Sequence, residues 1–207
     1  MSSGDAQIRF NPRAMLVALQ RREVDFILIG GLARVARGAD EITRDLDICP
    51  SLQPISLGRL QAALIDLGVV SPDVIGGRPL HHVYDEARLR AEKVVSLPTV
   101  VGELKVVAAP AGVPRGYDAL RAGATSEHLG GGLRIEIAST ADLITMAAAL
   151  RRPEDVERLP ALRQILKLEA DRAALVTTNV LPPGSTLNLA RPKEVRPNRG
   201  RDPGVGR

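Results

Sequence analysis

The apolar positions of this chain fall into two periods, one near 3.6 and one of 2. After Asn11-Pro12, a capping residue followed by proline at the first helical position, Met15, Leu16 and Leu19 recur at helical spacing. They predict a helix that stops near Arg22-Glu23. Phe26 to Ile29 is a short apolar run closed by Gly30-Gly31, which reads as a buried strand, and Leu32 to Arg37 reads as a short helix. Asp45 to Cys49 alternates polar and apolar, the pattern of a strand with one wet face, and Pro50 ends it. Leu57, Leu60, Leu64 and Leu67 mark an amphipathic helix that stops at Gly68.

The next stretch, Ser71 to Arg90, carries no readable period. Lys93 to Leu97 and Val100 to Val107 predict two strands separated by Pro98. A Pro/Gly loop from Ala109 to Gly116 leads to a short helix at Tyr117 to Ala122, and Leu133 to Ile137 alternates as a strand. Ser139-Thr140-Ala141-Asp142 resembles a capping box and opens a helix to about Leu150. Pro153 starts a further helix, in which Asp155 is expected as a first-turn acid favoured by the helix dipole. Strands and helices mix without strict alternation, so the expected class is α+β (mixed α/β), a mixed sheet flanked by helices, with helices at the C-terminal end.

Composition narrows the picture. Aromatic residues make up 2% of the 207, with no Trp, so the core is aliphatic and stacking platforms for bases are an unsuitable main mode of binding. The single cysteine, Cys49, excludes an internal disulfide framework and reads as a small apolar residue beside a strand. No signal-like segment and no long apolar window is present, so a cytoplasmic protein without a membrane span is expected. Six basic and two acidic residues from Leu181 onward carry the whole net charge of +4, and the preceding residues hold 22 of each sign. Three parts follow: a flexible N-terminus at 1–10, a folded domain at 11–180, and a disordered basic Pro/Gly/Arg-rich tail at 181–207.

The chemistry is concentrated between Ile29 and Asp47. A strand runs into Gly30-Gly31, and Asp45-Leu46-Asp47 follows after thirteen residues. Carboxylates two apart on a strand share a face and repel one another unless a cation lies between them. Hard oxygen donors suit Mg²⁺ (or Mn²⁺), which takes further ligands from water and substrate phosphates. Paired glycines let backbone approach a phosphate closely, with free N–H groups of a following helix nearby.

An apolar strand, Gly-Gly and then Asp-x-Asp resembles the nucleotidyltransferase superfamily. GGLARVARGADEITRDLDI resembles the AbiEii-type, toxin-like branch more narrowly, and GELKVVAAPAGVPRGYDAL, LRIEIASTADLITM and RRPEDVERLPAL extend the likeness over roughly residues 12–167. The resemblance implies a nucleotidyltransferase-like sheet. It also implies transfer of a nucleoside monophosphate from an NTP to an acceptor hydroxyl, with RNA (tRNA) as acceptor, in the manner of toxins with a cognate antitoxin or of phage-defence proteins. Asp45 and Asp47 would hold the metal, and Gly30 and Gly31 the triphosphate. Thr43, in the matching segment, is a further candidate nucleotide-binding residue.

The sequence departs from the pattern at four positions. Lys105 stands where an acid is expected, Ala147 for lysine, Glu41 for arginine and Arg37 for histidine. Glu103 is the candidate replacement third metal ligand, Lys105 a candidate catalytic residue, and Arg37 or Arg44 the candidate phosphate-binding charge. The alternative expectation is a degenerate, non-catalytic module of the same fold that binds nucleotide or a partner protein.

Overall fold

The computed structural model describes residues 10–69 and 86–178. The flexible N-terminus expected at 1–10, apart from Phe10, and the disordered tail expected at 181–207 lie outside the described residues, as does most of the unreadable stretch from Ser71. Two compact units are distinguished, Met1–Asp171 and Arg172–Arg207. Of the second unit, only the C-terminal end of the last helix is described.

The elements run α1 (Pro12–Arg21), β1 (Phe26–Ile29), α2 (Gly30–Ala36), β2 (Asp45–Pro50), α3 (Pro54–Asp66), α4 (Glu86–Glu92), β3 (Val94–Thr99), β4 (Gly102–Val107), α5 (Tyr117–Arg121), β5 (Thr125–His128), β6 (Arg134–Ile137), α6 (Thr140–Leu150) and α7 (Pro153–Thr178). The class is α+β: a six-stranded mixed sheet in the order β3-β4-β2-β1-β6-β5, flanked by helices. β2 is antiparallel to β1 and parallel to β4, β1 is parallel to β6, and the edge strands β3 and β5 are antiparallel to their neighbours. No helix among the described residues is long and apolar enough to cross a membrane.

Local signals act where expected. The Asn11 side chain accepts the Ala14 N–H at 3.1 Å at the start of α1. Ser139 accepts the Asp142 N–H at 3.1 Å and donates its hydroxyl to Asp142 Oδ2 at 2.6 Å at the start of α6.

Alternation along the central strands sends Leu28, Leu46, Ile48, Leu104 and Val106 into a core shared with Met15, Leu16 and Leu19 of α1 and Leu60, Ala63 and Leu64 of α3. The opposite face carries Ile29, Asp45, Asp47 and Lys105.

Three expectations are corrected in detail. Pro98 lies within β3 rather than between strands, opposite Glu103; as an edge strand, β3 tolerates a residue without an N–H. Val100 and Val101 belong to the turn, so β4 begins only at Gly102. The sixth strand, β5, has no apolar alternation and is nearly all exposed, so nothing in its sequence announced it.

Candidate active site

The centre of the sheet builds the site. β1 ends at Ile29, opposite Asp47, and the chain turns straight into α2 with Gly30 at a φ of +67°. That conformation favours glycine, and space demands it too: a Cβ on Gly30 would overlap Asp47 Oδ2. A Cβ on Gly31 would come within 2.7 Å of Thr43 Oγ1. The twin glycines therefore make room for β2 and its flanking loop. The Asp47 carboxylate lies against the first turn of α2, with the Gly31 backbone amide helping to hold its charge.

Asp45 and Asp47 share a face, and each has a strand neighbour in register: Asp45 faces Glu103, and Asp47 faces Lys105. The Lys105 ammonium forms an ion pair with Asp45 Oδ2. The Thr43 hydroxyl lies 3.1 Å from Asp45 Oδ1. Desolvation pushes the Asp45 pKa upward, but the hydrogen bond and charge of Lys105, joined by Thr43, outweigh it and hold Asp45 below the usual carboxylate range. Asp47 goes the other way. Burial, then repulsion from Asp45, raise it to about 6, against the opposing pull of Lys105, Arg34 and the Gly31 amide. Lys105 is itself raised, chiefly by its hydrogen bond to Asp45. The two carboxylates on one surface are thus pushed apart in acidity: burial raises Asp47, while the neighbouring ammonium holds Asp45 low.

These groups line a cleft of about 980 Å³. Its far wall comes from the start of α7, which sequence reading did not assign to the site. Asp155 is 1% exposed, and its Oδ2 accepts from Arg152 Nε at 2.5 Å. Its buried Oδ1 has no hydrogen-bond partner among the described residues; Arg158 Nη1 is 3.7 Å away. Arg158 Nε also pairs with Glu41 at 3.0 Å, and Glu41 pairs with Arg34 Nε at 2.9 Å. A chain of alternating charges therefore joins α2, the loop before β2 and α7 around the acidic pair. Asp155 does sit in the first turn of its helix, as expected, but buried and facing the cleft. The signal that reveals this face is Arg152, Asp155 and Arg158 at three-residue spacing. Arg34, one helical turn after Gly30, is the other residue missed. Val107, Pro110, Leu143, Met146 and Leu150 supply an apolar wall, and Ala147 also lines it.

Not every candidate residue enters the cleft. Gly30, Gly31, Thr43, Arg44, Asp45, Asp47 and Lys105 line it, with Arg44 exposed. Glu103 does not: its Oε1 accepts the Ser96 hydroxyl at 2.7 Å on the β3 side. Arg37 is also outside, donating to the carbonyls of Ile137 and Ala138 at 2.9 Å. These bonds join α2 to the end of β6, and Glu127 Oε1 of β5 lies 3.7 Å from Arg37 Nη1.

Among the described residues, no group of three or more His, Cys, Asp or Glu side chains is placed to hold a metal ion. The carboxylates that could face a hard cation are Asp47 and, beside it, Asp45, whose Oδ2 is paired with Lys105. The sequence matches no protein-family model, and no curated protein is similar to it.

Proposed function

We propose that this chain is a metal-dependent nucleotidyltransferase, moving a nucleoside monophosphate from an NTP–Mg²⁺ (or Mn²⁺) complex to an acceptor hydroxyl and releasing pyrophosphate. One observation carries the reading: the Asp45–Asp47 pair lies beside Gly30-Gly31 on the floor of a cleft of about 980 Å³ whose other walls are arginine-rich and apolar. That volume falls at the upper end of the range for ligand sites, roughly 300–1,000 Å³, and accommodates a nucleotide.

In this reading Asp45 and Asp47 hold the cation, which when bound draws negative charge from the reacting phosphoryl oxygens. Arg34, Arg152 and Arg158 flank the acids and offer fork-shaped donors for phosphate oxygens. The wall of Leu143, Met146 and Leu150 gives a base an aliphatic surface, consistent with the scarcity of aromatic rings. Asp155, buried between Arg152 and Arg158, holds both arginines at the cleft wall.

We assign RNA, and tRNA in particular, as the acceptor, in the cytoplasm, and a toxin role opposed by a cognate antitoxin. The support for these finer assignments is the motif resemblance alone. The test is incubation of the chain with each labelled NTP, Mg²⁺ or Mn²⁺, and total RNA. Labelled RNA that disappears with Asp47→Asn is the expected result. Label that survives that substitution sinks the assignment.

A second reading, a non-catalytic module of the same fold, is favoured by the Lys105–Asp45 ion pair and by the engagement of Glu103 with Ser96. It predicts NTP binding without transfer to any acceptor.

A further inference from the structure

The parallel pairing of β2 with β4 brings four ionisable side chains out on one face: Asp45 and Asp47 from one strand, Glu103 and Lys105 from the other. A pair of divalent cations that clamps the attacking and leaving oxygens of a displacement needs several carboxylates, with the two ions about 4 Å apart. The acid available for that purpose on β4 is Glu103, and it is turned to Ser96 at 2.7 Å, away from the cleft. Lys105 turns inward instead. Its ammonium pairs with Asp45 Oδ2, while the Thr43 hydroxyl takes Oδ1 at 3.1 Å. Both oxygens of Asp45 therefore have protein donors, one of them cationic. Asp47 has no ion pair within 4.0 Å among the described residues, and its carboxylate lies where a Cβ on Gly30 would be.

We propose that the Lys105 ammonium takes the place of a second divalent cation, so that the cleft works with one metal ion, held chiefly by Asp47. This rests on the nucleotidyltransferase reading above. A tethered single charge on Asp45 repels a divalent ion brought to the same carboxylate, and the partly desolvated surroundings strengthen that repulsion. One divalent ion plus Lys105 leaves the two aspartates close to charge balance before the polyphosphate enters. Two divalent ions plus Lys105 leave a large positive excess. The lysine also stays when products and metal depart, so Asp45 keeps its charge compensation throughout a cycle.

The test is Mn²⁺ binding to the full chain without nucleotide, followed by electron paramagnetic resonance of the free ion, with circular dichroism to verify that each variant folds. The wild-type chain is expected to take up about one Mn²⁺, and Lys105→Met to take up a second, or to bind the first about tenfold or more tightly. Lys105→Arg, which keeps the charge, is expected to match the wild type. Lys105→Gln, which keeps a donor for Asp45 without charge, repeats the measurement if Lys105→Met does not fold. Two Mn²⁺ on the wild-type chain, or neutral variants equal to it in both number and affinity, overturn the proposal while leaving the carboxylate pair a metal site. Absence of Mn²⁺ binding in every variant overturns the metal-dependent reading itself, and this proposal with it.

Discussion

The Asp47 carboxylate occupies the space in which a side chain on Gly30 would begin: a Cβ built there overlaps Asp47 Oδ2. Gly30→Ala therefore has to displace the acid or the turn, and it also places a side chain at a φ of +67°. A loss of about 2–4 kcal/mol is expected, from backbone strain and overpacking together. Urea unfolding measures it. Metal uptake is expected to fall in parallel, because Asp47 is the group displaced.

Asp47→Asn is expected to abolish transfer without harming the fold, and to change how stability depends on pH. Asp47 is raised to about 6 from an ordinary value of 3.8, so its ionisation is easier in the unfolded chain. Its contribution is fully present below about pH 4 and is lost as pH rises from there through about 6, at a cost on the order of 3 kcal/mol. Asp45, held low, acts in the opposite sense, and its contribution fades as pH falls below the ordinary carboxylate range. Metal-free melts of wild type and Asp47→Asn across pH 4–8 are expected to converge at the acid end, to separate between about pH 4 and 6 and to stay a constant distance apart above that, with the variant the more stable. Metal affinity of the wild type should rise to about pH 6 and level off above it, since the proton no longer competes.

The two arginines proposed for phosphate divide by role. Arg37 donates to the carbonyls of Ile137 and Ala138, so Arg37→Ala is expected to cost about 1–3 kcal/mol of stability and to leave the KM for NTP nearly unchanged. Arg44 is exposed on the cleft wall. Arg44→Ala is expected to raise KM several-fold and to leave the melting temperature where it was. Steady-state kinetics beside thermal melts separate the pair, and a reversed outcome would place Arg37 in contact with ligand.

Asp155 is buried between Arg152 and Arg158, with Oδ1 lacking a hydrogen-bond partner among the described residues. Asp155→Ala leaves two arginines facing each other and Arg158 held by Glu41 alone, so a loss of about 2–4 kcal/mol is expected. Asp155→Asn keeps the shape and is expected to recover most of the stability but not the activity. Nucleotide is expected to stabilise the wild-type chain more than either variant, as a shift in melting temperature would show.

Much of this molecule is written locally. The Asn11 cap, the alternation of Asp45 to Cys49 and the Ser139 cap depend on neighbours a few residues away, and each acts where the sequence says it should. What escaped depends on pairing between distant segments. Glu103 looks available on its own strand; it is engaged because antiparallel β3 brings Ser96 beside it. Arg37 looks like a phosphate ligand until parallel β1 and β6 set two carbonyls in front of it. Asp155 reads as an ordinary first-turn acid, but its neighbour Arg158 pairs with Glu41, which pairs with Arg34, a chain of charges that depends on three segments meeting. β5 has four residues with almost no apolar signal and exists through its pairing with β6.

The two outer strands of the sheet have a consequence for behaviour at high concentration. An open strand edge is a template on which another chain can add, and long, flat, apolar edges lead to aggregation. β3 carries Pro98, which has no N–H to offer an incoming strand, and β5 is the polar tetrapeptide Thr125-Ser126-Glu127-His128. Neither border suits lateral growth. A chain poor in aromatic residues and neutral over its first 180 positions has little net charge there to keep copies apart, and the blunted borders of its sheet supply that protection instead.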